Sequence, residues 1–444
     1  MRNAQTTGKQ RRQPQHHQLT APPLWPRDEW SILSSGVCDD IALLLWHYAR
    51  SVRLWATTPV SDRVALFSPP AAETAEWEAN TAERCETVAQ ALRTIGAVVR
   101  YPDLIQGPPI AAACGEVATW AEAAGRLGLA LEFAEAAALI DSEAARPAAD
   151  AGHLATRLAA YDRSWIWLTR CVKLARRAKD WEWYVRGHIR FGIMLYELGQ
   201  HARARPHYWR ATRAALDSGR RTLAGKAQHD LLLIEAEAGS YLSGEKCARR
   251  VLEYYPRVYE RIPHFVHDYA YLLVRHGYYS PALPLADAVL AWITQPFERI
   301  AVLATLARAA AGIEDRAQYE RACAELMLLA EETETNSAGA LVAAAEGAMV
   351  WREWDRARTL ALRARTMAEK RREGDPLRRA NALLARIKRR EMPNRSEAPP
   401  AVARIDEVSA ACMRRLNAQR APKRGVMARR IVAAGMAVST ASSP

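Results

Sequence analysis

The sequence predicts an all-α fold, and three observations carry that expectation. From about residue 111 to 371, apolar residues recur at i, i+3, i+4 and i+7, which puts them on one stripe of a helix. Over the same stretch almost no segment alternates apolar and polar residues as a half-buried strand would. The helical stretches are self-similar at a period of about 35 to 40 residues, the range of helical-hairpin solenoids.

A chain of 444 residues is too long for one compact core, so an elongated repeat array or several domains must hold it. Half of the residues are hydrophobic and 25% are charged, the balance of a packed soluble protein. The seven cysteines, Cys38, Cys85, Cys114, Cys171, Cys247, Cys323 and Cys412, stand singly and form no C-x-x-C or Cys/His pair at metal spacing. That pattern points to a reducing, cytoplasmic setting without zinc. Arg11 and Arg12 are followed by no apolar run, and no stretch of about 18 apolar residues occurs, so neither a secretory signal nor a membrane span is expected. The net charge of +13 points to an acidic partner.

The clearest unit runs from Trp183 to Gly219: a first helix ending FGIMLYELG, a turn at Gly199-Gln200, and a second helix ARARPHYWRATRAAL. It carries Gly192, Gly199, Ala204, Tyr208 and Ala211 where the 34-residue tetratricopeptide motif puts a small residue, Gly, a small residue, an aromatic and a small residue. The unit therefore resembles a tetratricopeptide repeat. Counting outward gives units starting near 111, 148, 185, 225, 263, 298 and 338. Position 8 then reads Ala118, Ala155, Gly192, Leu232, Ala270, Thr305 and Ala345; position 20 reads Ala130, Trp167, Ala204, Gly244, Ala282, Ala317 and Ala357. Small residues dominate both columns because helices approach closely only where side chains are short. Position 15 reads Gly125, Asp162, Gly199, Gly239, Gly277, Gly312 and Arg352, and Gly there can take φ > 0 to end a first helix.

The resemblance implies a right-handed α-solenoid of about seven tetratricopeptide-like hairpins over residues 111–371. Around it the composition suggests a basic, disordered segment at 1–27, a helical cap or decayed repeats at 28–110, a capping helix at 372–392 and a disordered basic tail at 393–444. One short helix is expected in that tail near Ala403 to Gln419.

First helices of such arrays line a concave groove that commonly binds peptides. The family's groove positions fall here on Arg186, Tyr196, Lys226, His229, His264, His267, Tyr271, Arg275 and Arg299, with Glu197 and Glu237 beside them. This lining reads as basic and partly aromatic, suited to a carboxylate-bearing ligand. His264, His267 and Asp268 share a helix turn, but no further His or Cys completes a metal set, so they read as polar or packed residues. Nucleophile-elbow, phosphate-loop and zinc-protease motifs are absent from the sequence. The expected function is a non-enzymatic, cofactor-free scaffold for an acidic peptide or protein. The alternative is the sensor part of a regulator that associates with nucleic acid or another protein.

Overall fold

The computed structural model describes residues 39–67, 80–238, 240–332, 337–371, 373–392 and 402–419, together with Thr74 and Trp77. Cys38, Gly239, the segment 1–27 and most of the expected tail lie outside the described residues. Among those described there are helices and no strand, as the apolar period predicts.

The chain begins with α1 (Asp39–Thr57), a 3-10 turn (Val60–Ala65) and α2 (Ala89–Arg100). Leu44, Leu45, Tyr48, Val52 and Trp55 of α1 are buried in one apolar cluster with Leu92, Ile95 and Val98 of α2. The Trp55 indole N–H donates to the Pro102 carbonyl at 2.6 Å, and Arg63 lies over its ring at 3.9 Å. The same cluster runs on into the first hairpins, so this segment shares their core.

Seven hairpins follow. They are α3 (Gly107–Ala123) with α4 (Leu127–Ile140), α5 (Ala145–Arg157) with α6 (Tyr161–Ala178), α7 (Trp181–Glu197) with α8 (His201–Asp217), and α9 (Arg221–Glu237) with α10 (Tyr241–Tyr254). Then come α11 (Ile262–Arg275) with α12 (Tyr279–Val289), α13 (Pro296–Gly312) with α14 (Arg316–Glu332), and α15 (Ser337–Val350) with α16 (Trp354–Arg371). Each helix packs on its partner and on the next hairpin, the arrangement of an α-solenoid. After the hairpins come α17 (Gly374–Arg389) and α18 (Val402–Asn417).

The turns inside the hairpins explain the period and correct its register. Gly125, Gly199 and Gly277 take φ of 75°, 70° and 82°, the left-handed conformation that glycine adopts without penalty. In the second and sixth hairpins the left-handed residues are Ala159 (φ 55°) and Glu314 (φ 64°), not Asp162 and Gly312. Taking the turn as the fifteenth position, these two units begin at 145 and 300. The second unit then has Gly152, Ser164 and Cys171 at its small positions, and Trp167 leaves the hairpin contact. Trp167 instead buries its ring and donates its indole N–H to Glu135 of α4 at 2.7 Å. Gly312 sits inside α13, where a Cβ would come 2.0 Å from the Tyr279 ring. A glycine needed for close approach and one needed for a turn look alike in sequence.

α18 packs on α10, α11 and α12. It buries Ile405, Val408, Cys412 and Leu416, and Arg415 donates to the Leu252 and Tyr255 carbonyls at 2.5 and 3.2 Å, capping the end of α10. α18 lies where one short helix is expected in the tail, near Ala403 to Gln419, and it is bound to the array through its four-residue apolar stripe.

At Gly192 a Cβ would stand 2.4 Å from the buried Tyr208 ring, whereas at Gly115 it would meet nothing within 4 Å. Gly192→Ala is expected to lower stability by about 1–3 kcal/mol. Gly115→Ala, in mid-helix, is expected to raise it by about 0.5–1 kcal/mol. Urea unfolding of the two variants checks this, and equal effects would contradict the close-approach role of Gly192.

Candidate functional site

The solenoid coils until the start of α17 meets the turn of the third hairpin. A Cβ at Gly374 would lie 3.0 Å from the Leu198 carbonyl oxygen, and one at Gly199 would lie 3.7 Å from the Asp375 nitrogen. Between these ends the first helices α5, α7, α9, α11, α13 and α15, with α17, wall a cavity of about 540 Å3. Its floor of small residues includes Ala301, Ala304, Gly339, Ala340 and Ala343.

The closure is held by a buried ionic cluster. Glu237, at the end of α9, has a fully buried side chain. Arg275 of α11 donates to it at 3.2 Å, Arg379 of α17 stands 3.9 Å away, and the Tyr271 hydroxyl also donates to it. Arg379 donates to the Tyr271 oxygen at 3.2 Å and faces Asp375 at 3.9 Å. Burial alone would push the Glu237 carboxyl upward, but Arg379, Arg275 and the Tyr271 hydroxyl hold it below the usual range. Residues 237, 275 and 379 are thereby tied together although α17 lies far along the chain.

A second cluster sits on α11. Asp268 accepts from His229 Nε2 at 2.8 Å and from His267 Nδ1 at 2.9 Å. Burial raises its carboxyl, but these two hydrogen bonds win and hold it well below the ordinary range. An ionised Asp268 can only accept, so His229 turns an Nε2–H toward it, while its Nδ1 meets the Tyr255 hydroxyl at 3.1 Å. His267 Nε2 meets Thr305 Oγ1 at 3.0 Å, and His264 Nε2 meets Glu298 at 3.0 Å. The three α11 residues weighed as metal ligands are thus engaged with protein groups. Among the described residues no set of three or more His, Cys, Asp or Glu is arranged to hold a metal.

The residues singled out from sequence fall into three places. Tyr196, His264, His267, Tyr271 and Arg275 line the cavity. His229 is buried behind that wall. Arg186 and Lys226 line a separate depression of about 620 Å3 with Tyr259 and Glu260, and Arg186 pairs with Glu182 at 3.0 Å. Arg299 lies off the cavity wall; it pairs with Glu325 at 2.5 Å and donates to the Leu290 carbonyl at 2.7 Å. The register explains this last difference. With the sixth unit beginning at 300, the groove positions fall on Ala301, Ala304 and Arg308, and these do line the cavity.

Residues not singled out at first include Asp230, Arg308, Glu346 and Arg379. Arg308 and Glu346 pair at 3.0 Å across the sixth and seventh hairpins. The lining is amphoteric rather than basic: six arginines (157, 261, 275, 308, 371 and 379) face seven carboxylates (197, 230, 268, 298, 346, 373 and 375). No described helix is long and apolar enough to cross a membrane.

The hairpins, their small-residue contacts and their left-handed turns are those of tetratricopeptide-like repeats, here closed around a cavity. No protein-family model and no curated protein sequence matches this chain. Three solved structures to which it is similar are a Rap protein complexed with competence and sporulation factor, the TPR2AB-domain:pHSP90 complex of yeast Sti1, and the P58(IPK) TPR domain. The first has 10% identity and a TM-score of 0.44 over 80% of this chain and 98% of that one. The second has 14% identity and a TM-score of 0.25 over 63% of this chain and 98% of that one. The third has 14% identity and a TM-score of 0.20 over 71% of this chain and 98% of that one. The fold assignment rests on the chain's own architecture.

Glu237→Gln leaves two buried guanidinium groups without their shared counter-charge. It is expected to cost about 3–5 kcal/mol. Chemical denaturation checks this, and a loss below about 1 kcal/mol, the worth of an exposed pair, would contradict the closing role.

Proposed function

We propose that this protein is a non-enzymatic scaffold that holds a peptide or protein segment in the cavity closed by α17. The observation that carries the reading is the set of polar atoms at the cavity wall with no hydrogen-bond partner among the described residues. Asp230 Oδ2, His264 Nδ1, Arg275 Nε and Arg379 Nε are buried and unbonded. A peptide chain brings a donor and an acceptor at nearly every residue, so it can meet such a mixed lining. His264, His267, Tyr271 and Arg275 recur at three- and four-residue spacing along α11, giving a contact strip of about 16 Å at 1.5 Å per residue.

The acidic partner suggested by the net charge draws less support from the cavity, whose arginines are largely paired with carboxylates. Charged groups held in fixed pairs provide shape and hydrogen bonds more than net field. The cysteines stand singly along the chain, and the described ones other than the partly exposed Cys85 are buried, which suits a reducing cytoplasm.

Gly339 lines the cavity, and a Cβ there meets nothing within 4 Å, so a side chain placed at this position starts in open space. Peptides selected from a displayed random library by the wild-type chain are expected to lose at least about tenfold in affinity for Gly339→Trp, or about 1.4 kcal/mol. The circular dichroism of the variant should match that of the wild type. Undiminished binding, or no saturable binders at all, would remove the cavity from the function.

A further inference from the structure

Pairing inside the cavity is uneven. Arg157 is matched by Glu122 at 2.6 Å, Arg308 by Glu346 at 3.0 Å and Arg371 by Glu373 at 3.3 Å, while Arg275 and Arg379 share Glu237. Asp268 and Glu298 are met by imidazoles, and Asp375 by Arg378 and Arg379. Two lining carboxylates, Glu197 at the end of α7 and Asp230 on α9, make no hydrogen bond or ion pair to any described residue. Both line the same cavity as Tyr208 of α8, and both act electrostatically on its hydroxyl.

An unpaired carboxylate withdrawn from water is costly to keep ionised, and a cation brought beside it recovers that cost. Arg261 is the lining guanidinium without a carboxylate at ion-pair distance among the described residues. It and Lys226 act on Asp230 through space, but neither bonds to it. Around Glu197 stand Tyr161, Tyr208, Arg157, Arg371 and Glu373, with Arg157 and Arg371 already engaged.

Building on the reading that the cavity holds a peptide segment, we infer that the segment presents a cationic side chain, lysine or arginine, to the carboxylates of Glu197 and Asp230. The neighbouring tyrosine rings suit the same group, since cations are attracted to aromatic faces. Burial and the adjacent Glu373 raise the Glu197 carboxyl to about 7, against the partial relief of Arg371 and Arg157. Capture of the cation therefore strengthens as pH rises through about 7 and weakens below it, as Glu197 takes up a proton.

The test uses the full chain and a positional library of short, end-blocked peptides in which one defined position is Lys, Arg, Ser or Glu. The Lys and Arg pools are expected to bind the wild type at least about tenfold more tightly than the Ser and Glu pools. That preference should vanish in the Glu197→Gln, Asp230→Asn double variant and shrink in the wild type between pH 8 and pH 6. The pH series keeps the inference testable should the double variant fold poorly. Equal binding of all pools, or preference for Glu, overturns the cationic assignment, and the cavity reading survives if Gly339→Trp still blocks them. Binding indifferent to Gly339→Trp, or absent from every pool, overturns both.

Discussion

Glu237 is shared by Arg275, one hairpin further on, and by Arg379, in the helix that follows the last hairpin. Nothing in a stack of hairpins requires its two ends to meet; each unit needs only its neighbours. The shared carboxylate, with the Tyr271 hydroxyl and the backbone contact of Gly374 on Leu198, converts an open coil into a closed one. Without that closure the first helices would present an open face, and the lining residues of hairpins two and seven would not belong to one cavity. Buried ion clusters of this kind add little net stability over apolar packing and severely penalise loss of one member, so they act chiefly as specifiers of geometry.

The coil that brings those ends together depends in turn on how closely helices approach. Gly152 against Leu168, Gly192 against Tyr208 and Gly347 against Tyr319 are contacts a Cβ would obstruct at 2.7, 2.4 and 2.4 Å. A large residue on one helix is seated in the space a glycine leaves on its neighbour. Small changes at these points would alter the rotation from one hairpin to the next, and that error would accumulate by the time α17 reaches the third turn. The same logic sets α18 against α10 to α12, where Arg415 supplies the carbonyls at the end of α10 with donors they otherwise lack.

The hairpins were legible because glycine marks the turns at 125, 199 and 277 and small residues mark the contacts. Register failed where alanine and glutamate took the left-handed turn at 159 and 314, since those residue types announce nothing. That slip of two residues in the sixth unit is why Arg299 was drawn into the groove and Arg308 left out. The groove face of α11 was readable, because the fifth unit keeps its register through Gly277. Arg379, Arg371 and Glu373 were not, because their place in the cavity follows from closure of the whole coil, a sum of many small rotations that no local motif records. The paired charges were hidden for the same reason: Arg275 reads as a free cation until Glu237 is brought against it from another hairpin.

Closure itself can be measured in solution. Ala202 is exposed just beyond the third turn, and the Arg378 side chain is 61% exposed on α17, so spin labels at these two sites report the separation across the closing contact. The wild-type chain should give one narrow distance distribution, and Arg379→Gln a broad one shifted to longer distances. A broad distribution in the wild type, or a narrow one unchanged by Arg379→Gln, would contradict the account.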